Sequence, residues 1–445
     1  MDLAARLLDL SLRKRAAHEL LDRARAGALP GVATGDALAE PAPKPEPAAV
    51  ERRPPEGFTE ERGIHMRRLV LAAGEWPQWG GAAPSGLPFD ADGAALLFPG
   101  EAPPDPEAIA FIDVETSGVS GGAGTVVFLA GVGRWVRRGA EWTFELSQYL
   151  APDFPDEAEV VRHVLADLEG AAAVCHYNGK CFDVPVLRSR AVMHRLPPRA
   201  LRLRQLDLLH PSRRLWRAGL GSATLKRVEH GVLGHDRGPD IDGALIPEVF
   251  FTAAREGTHP RLGAVLRHNA QDIATLALLL GHATRLAARP FHAEALGCEW
   301  EPLAKLHERR GDRALARRLW GEAIARAASS AEEARLRLRY AALLSRERDT
   351  DAALLQWDTA RRLPLPVSIP AWIALAKHHE HAARNHAEAL RLIRGLLRAV
   401  EAERDLAAML GRPDPLLELV WERESPSWER RLSRLERKAA PKPRQ

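Results

Sequence analysis

Four acidic residues lie within one 160-residue stretch of this 445-residue chain: Asp113 and Glu115 in FIDVETSG, Asp183 in HYNGKCFDVPVL, and Asp272 in RHNAQDIATL. Each follows or sits in an apolar run, where a carboxylate is expensive unless something compensates it. Four of them converging on one point would repel one another. A pair of divalent cations, Mg2+ or Mn2+, is the usual remedy, and two-metal sites activate water against phosphodiesters. The chemistry these residues suggest is that of a nuclease.

Their spacing supports convergence. Asp113 and Glu115 stand two apart on the predicted strand AIAFIDVET, so both side chains face one way. The small residues of TSGVSGGAG follow and would let a phosphate approach the backbone. Asn178 closes a predicted buried strand, AAAVCHYN, and Asp183 opens the next helix, where Asp is also a common cap. His268 and Asp272 are four apart on a predicted helix, hence on one face. A histidine one turn from a metal-binding aspartate is a candidate general base, because its unperturbed pKa lies near working pH. Taken singly, each motif has a plainer explanation: a solvated strand end, a helix cap, a structural histidine.

The elements that must position these residues alternate. AIAFIDVET, TVVFLAGVGRWV and EWTFELSQYL read as three successive strands, with a glycine-rich turn over 118–124. A helix over 156–169, the strand AAAVCHYN and the helix VPVLRSRAVMHR follow, which predicts a mixed α/β sheet flanked by helices. We expect an α/β domain over 107–290. Before it come an amphipathic helix over 3–26 and a Pro/Ala-rich linker over 30–57 (together the segment 1–63), then an irregular or β-rich lead-in over 64–106. From 292 to 420 the chain is helical and repetitive. Trp320 and Trp357 hold matching positions 37 residues apart, and turns fall at Gly311–Asp312, Asp349–Thr350 and Asn385–His386. Paired helices at that period are similar to tetratricopeptide repeats. Residues 421–445 read as a short helix and a frayed basic tail.

In order, DxE, then Nx3FD, then a late helix with a base and an Asp resemble the DEDD superfamily of exonucleases, which have a ribonuclease-H-like fold. FIDVETSGVSGGAGT, YNGKCFDVPVLRSR, LDLLHPSRRLWR, LGSATLKRVE and HNAQDIATL are similar to its YprB-like branch, whose members add tetratricopeptide-like helices. The resemblance implies Asp113, Glu115, Asp183 and Asp272 as ligands of two divalent cations and His268 as general base. It implies 3′→5′ removal of nucleoside monophosphates, a role in DNA repair and a helicase as protein partner on the repeats. The superfamily has Tyr-x3-Asp or His-x4-Asp; this chain has His-x3-Asp, a histidine at the tyrosine's spacing. A catalytically weak adaptor and an RNA-processing nuclease are the alternatives.

The charge distribution points to a polyanion. Formal net charge is only +4, yet residues 184–228 carry eleven Lys and Arg against one acid, Asp207. A basic rim beside a metal site suits nucleic acid, and the resemblance to the exonucleases implies DNA ahead of RNA. Arg188, Arg213, Arg214, Lys226 and Asn178 are the substrate-binding candidates, and His210 or Trp216 could stack on a base. Asp207 is either a support for the site or the partner of a basic neighbour. The three cysteines form no zinc or CxxC pattern, so a reducing cytoplasm is expected. No apolar run is long enough to predict a membrane span.

Overall fold

The computed structural model describes residues 50–71, 88–100, 103–118, 124–292 and 296–440. The helix expected over 3–26, the linker as far as residue 49, the middle of the glycine-rich turn and the last five residues lie outside the described residues.

Strands β1 (Thr59–Glu61) and β2 (Ile64–Leu71) form a hairpin, and helix α1 (Ala91–Leu97) follows. Then come β3 (Ile109–Thr116), β4 (Val127–Arg138), β5 (Glu141–Leu150), α2 (Glu157–Leu168), β6 (Ala173–His176) and α3 (Asp183–Met193). β7 (Arg204–Asp207), α4 (Leu209–Leu215), α5 (Ile246–Glu256) and the long α6 (Leu262–Ala288) complete the α/β domain. The strands make one seven-stranded sheet in the order β1-β2-β5-β4-β3-β6-β7. β3, β4 and β5 pair antiparallel, whereas β6 and β7 run parallel to β3.

The lead-in is more regular than the sequence suggests. β2 pairs with β5 from His65↔Leu150 to Leu71↔Phe144, so the sheet begins well before residue 107. The half-buried Arg67 and the exposed Arg68 interrupt the apolar run, which hides the strand.

Alternation along β3 decides where the acids point. Ile109 and Phe111 join the apolar cluster that contains the inner face of α6, whereas Ala110, Ile112 and Val114 join the cluster with α2, α3 and α5. Asp113 and Glu115 share the parity of Ile109 and Phe111, so they fall on the α6 face. Opposite Asp113 on β4 stands Gly131. A Cβ there would collide with Ile273 and with the Asn269 amide of α6, and one at Gly133 would collide with Phe144 and Ile273. These two glycines let α6 lie close over the acids.

The second region is all helix: α7 (Trp300–Arg310), α8 (Arg313–Ala325), α9 (Ser330–Arg346), α10 (Thr350–Arg361), α11 (Ile369–His381), α12 (His386–Met409) and α13 (Pro415–Ala439). Successive helices pack on one another. At the three turns read from sequence, Asp312, Asp349 and Asn385 cap the second helix of each pair, accepting from the amides of Leu315, Ala352 and Glu388. Such caps are each worth ~1 kcal/mol. The region has no separate beginning. Trp300, Leu303, Leu306 and Trp320 extend the cluster of the α6 face, and the buried Trp216 indole donates to Glu299 at 2.8 Å. The basic tail expected from 421 is instead the body of α13. Trp428 and Leu435 are buried, and the fully buried Glu380 accepts from Arg431, Arg434 and Lys438 at 2.6–2.9 Å.

Candidate active site

Because β3, β6 and β7 are parallel, their carboxyl ends share one edge of the sheet, the usual place for a site in such sheets. Asp113 and Glu115 leave the end of β3, Asp183 opens α3 after β6, and Asp272 descends from α6. A register shift between Glu115 and Thr116, which still pairs with Val127, re-aims the strand.

Three of the four carboxylates have a support of their own. Asp113 Oδ2 accepts from Asn269 Nδ2 at 2.8 Å, and the same nitrogen reaches the Asp113 carbonyl at 3.1 Å. Asn269 Oδ1 in turn accepts from Gln148 Nε2 at 2.8 Å, and Gln148 Oε1 accepts from Arg67 Nε at 3.1 Å. Gln148 and Asn269 are both fully buried, so this relay fixes the Asp113 rotamer and the orientation of both amides. Asp183 Oδ1 accepts from the Val114 amide, between the two β3 acids, at 3.3 Å. The turn before it is tight. A Cβ on Gly179 would meet the His176 ring and stand 2.9 Å from Asp183 Oδ2, so glycine is required. Asn178 adopts a left-handed φ of 67°, and its amide donates to Asp207 Oδ1 at 2.9 Å. Asp207, nearly inaccessible at the end of β7, therefore supports the turn before Asp183, and its Oδ2 also lies 3.8 Å from His176 Nδ1.

His268 Nδ1 lies 2.9 Å from Asp240 Oδ1. An ionised carboxylate can only accept, so Nδ1 carries the proton. Nε2 then faces the acids, 3.7 Å from Asp272 Oδ2 and 4.0 Å from Glu115 Oε1. One helical turn of spacing brings His268 and Asp272 to the same place. Asp272 also pairs with Arg237 Nη1 at 2.5 Å. Arg237 is in turn clamped by the buried Glu229, which accepts from Gln271 at 3.0 Å and Thr275 at 2.7 Å, both on α6.

The electrostatics record the crowding. Burial, followed by the charges of Asp272 and Asp183, holds Asp113 well above the usual carboxylate range. Burial and then Asp113, Asp272 and Asp183 do the same to Glu115. Asp183 is pushed up to about 7, chiefly by burial. Burial opposes protonation of His268, but Asp272, Asp240 and Asp113 outweigh it and raise the imidazole above its ordinary value.

Among the described residues no group of three or more His, Cys, Asp or Glu side chains is gathered closely enough to enclose an ion. The donors nevertheless fit a hard divalent cation. They are carboxylate oxygens, burial and then the neighbouring acids raise the protonation of Asp113 and Glu115, and Asp272 Oδ1 is buried without a hydrogen bond despite its ion pair. A pH dependence follows. The folded chain binds protons at Asp113, Glu115 and Asp183 more tightly than the unfolded chain does. Their stabilising contribution is therefore full below about pH 4 and is lost as the pH rises toward the folded values. In EDTA the thermal midpoint should fall between about pH 5 and pH 8, and Mn2+ should raise it more at the upper end, where fewer protons compete. Scanning fluorimetry checks this; a Mn2+ effect equal at both pH values would contradict it.

The basic stretch divides. Arg190 is buried against Glu157, and Trp216 is fully buried, so neither is part of a substrate rim. Arg188 is exposed, but its guanidinium holds the Leu201 carbonyl at 3.0 Å. It stands five residues after Asp183, on another face of α3. Lys226 sits 3.5 Å from Asp240, and His210 is exposed. Arg213 and Arg217 line a groove of about 510 Å³ together with Asn178, Tyr177 and Thr224. On the other side of His268 a second hollow of about 300 Å³ is lined by His235, Arg237, Asp240 and Arg267.

Sequence reasoning missed Asn269, Gln148, Asp240, Arg237 and Glu229. Asn269 lay within RHNAQD beside His268, and HDRGPDID holds both Arg237 and Asp240, but nothing in a linear pattern pairs a Gly/Pro-rich loop with a helix 28 residues later.

Residues 110–284 match the RNase_H_2 family model, of the RNase_H superfamily. The chain is 29% identical over 284 residues to the uncharacterized protein YprB of Bacillus subtilis (strain 168), covering 63% of this chain and 67% of that one. It also matches the structure of the family B DNA polymerase from the hyperthermophilic archaeon Pyrobaculum calidifontis at 18% identity and a TM-score of 0.31, over 45% of this chain and 29% of the polymerase. No helix among the described residues is long and apolar enough to cross a membrane. The chain thus joins an RNase H-like domain, a nuclease fold whose members generally use divalent metal ions, to a C-terminal all-helical region.

Proposed function

We propose that the protein is a metal-dependent 3′→5′ exonuclease of the DEDD type, with DNA as its substrate. The observation that carries this reading is the meeting of Asp113, Glu115, Asp183 and Asp272 from three separate elements, with His268 Nε2 turned toward two of them. So many acids crowded together, Asp183 buried and the other three half-buried, have no structural use that fewer would not serve.

Mg2+ or Mn2+ held by the four carboxylates would supply Lewis-acid polarisation and a water of lowered pKa. The chain's own residues do the rest. Asp240 keeps the proton on His268 Nδ1, so that Nε2 can take one from the attacking water. The Arg67–Gln148–Asn269 relay and the Val114 amide hold Asp113 and Asp183 in place, so little reorganisation accompanies reaction. Arg213 and Arg217 bind the phosphates of the strand that leads to the site, with Asn178 beside them. Arg237 partly offsets the charge of Asp272. The paired helices are tetratricopeptide-like, and a protein partner such as a helicase in DNA repair, acting in the cytoplasm, completes the proposal.

The test is cleavage of a 5′-labelled linear strand, of its RNA counterpart and of a closed circular strand, with Mg2+ or Mn2+. A ladder of shortened 5′-labelled products from the linear DNA, with the circle untouched, is expected. Cuts in the circle would show an endonuclease, and preference for the RNA strand would reassign the substrate.

A further inference from the structure

The basic groove beside the carboxylates does not end with the α/β domain. α4, which carries Arg213 and Arg214, packs against α7. Arg214 and Arg309 of α7 lie close enough that Arg309, after burial, lowers the pKa of Arg214. Two guanidiniums held together in this way favour an anion between or beside them.

Beyond Arg309 lies a pocket of about 550 Å³ on one face of α7, α8 and α9, lined by Lys305, Glu308, Arg309, Trp320, Arg339 and Arg346. Its acids do not neutralise it. Lys305 and Arg339 share the single carboxylate of Glu301 at 2.6 Å and 2.5 Å, and Arg346 meets Glu308 at 2.7 Å. Arg309, Arg339 and Arg346 are exposed. The chain from Trp300 to Arg346 carries eleven Lys and Arg against six Asp and Glu. Trp320 is 2% exposed, and its indole N–H is buried with no hydrogen-bond acceptor. A donor left unpaired beneath a cluster of cations suits a ligand rich in acceptor oxygens.

We infer that the first helices of the C-terminal region form a second phosphate-binding surface, on which the strand entering the carboxylate site continues across Arg214 and Arg309 into the α7–α9 pocket. The inference rests on the nuclease reading. Under it the helical region is part of the substrate track, and α11–α13 remain for a protein partner.

The experiment uses the full chain in EDTA and fluorescein-labelled strands of about 6 and about 30 nucleotides, lengths that bracket one and several binding sites. The variant is Arg309→Glu/Arg346→Glu, with Arg309→Gln/Arg346→Gln as a milder second and circular dichroism to check folding. Affinity for the long strand should fall about tenfold, and its salt slope by about one to two, as two phosphate contacts are lost. Affinity for the short strand should not change, whereas Arg213→Glu should weaken both. If both double variants bind the long strand as the wild type does, the inference is overturned and the nuclease reading stands. Wild-type protein that binds neither strand overturns both. Displacement of the long strand by polyglutamate at equal charge concentration would assign the surface to an acidic protein segment and overturn it too.

Discussion

Replacing Asp183 by asparagine is expected to remove cleavage by about a thousandfold or more, the several kcal/mol that a metal ion supplies to phosphoryl chemistry. The same change should stabilise the metal-free protein near pH 8. Asparagine keeps an oxygen to accept from the Val114 amide. It removes a buried charge whose own pKa has been driven up to about 7. The wild-type folded state gives up this contribution as the pH rises from about 4 through 7, and the amide variant does not. The gain is on the order of a few kcal/mol, or several degrees in midpoint. Loss of activity with a higher midpoint is an unusual pair, because most buried substitutions destabilise. Activity within tenfold of wild type would remove Asp183 from the site.

His268→Ala should lower the single-turnover rate by about a hundred- to ten-thousandfold, the range for a positioned acid or base, with little change in strand affinity. Asp240→Asn should cost about ten- to a hundredfold, as is typical for a residue that orients another. The amide can offer its N–H to Nδ1 as readily as its oxygen, which permits the wrong tautomer. The informative comparison is the double variant. If Asp240 acts only through His268, the two losses are not additive. Additive losses would mean that Asp240 acts separately, through Arg237 or Lys226, with which it also pairs at 3.7 Å and 3.5 Å.

Much of this was legible in the chain. β3, β5 and α2 have strong periodic patterns, and the acids stand out because they interrupt apolar runs. The expectation that the four acids converge rested on their order and spacing and on the family resemblance. What stayed hidden has physical reasons. β2 carries two consecutive arginines, Arg67 and Arg68, that break its alternation, and β7 is only four residues long, too short to show a period. Arg190 counts toward the basic excess of residues 184–228 because nothing local reveals Glu157, 33 residues earlier. Trp216 looked free to stack, although its indole reaches Glu299 in a region read as a separate domain. The supports of the acids, Gln148 and Asn269, are polar residues whose value arises only when strand and helix meet. α13 was read as a tail because its surface is densely charged, while the residues that bind it, Glu380 above all, lie two helices away.

The central claim is that these four carboxylates form a divalent-cation site. A calorimetric titration of Mn2+ into the EDTA-stripped full chain at about pH 8, repeated on Asp113→Asn, tests it most directly. Two ions per chain are expected, as in two-metal nucleases, and loss of at least one of them in the variant. No binding to the wild type, or the same isotherm for both proteins, would contradict it.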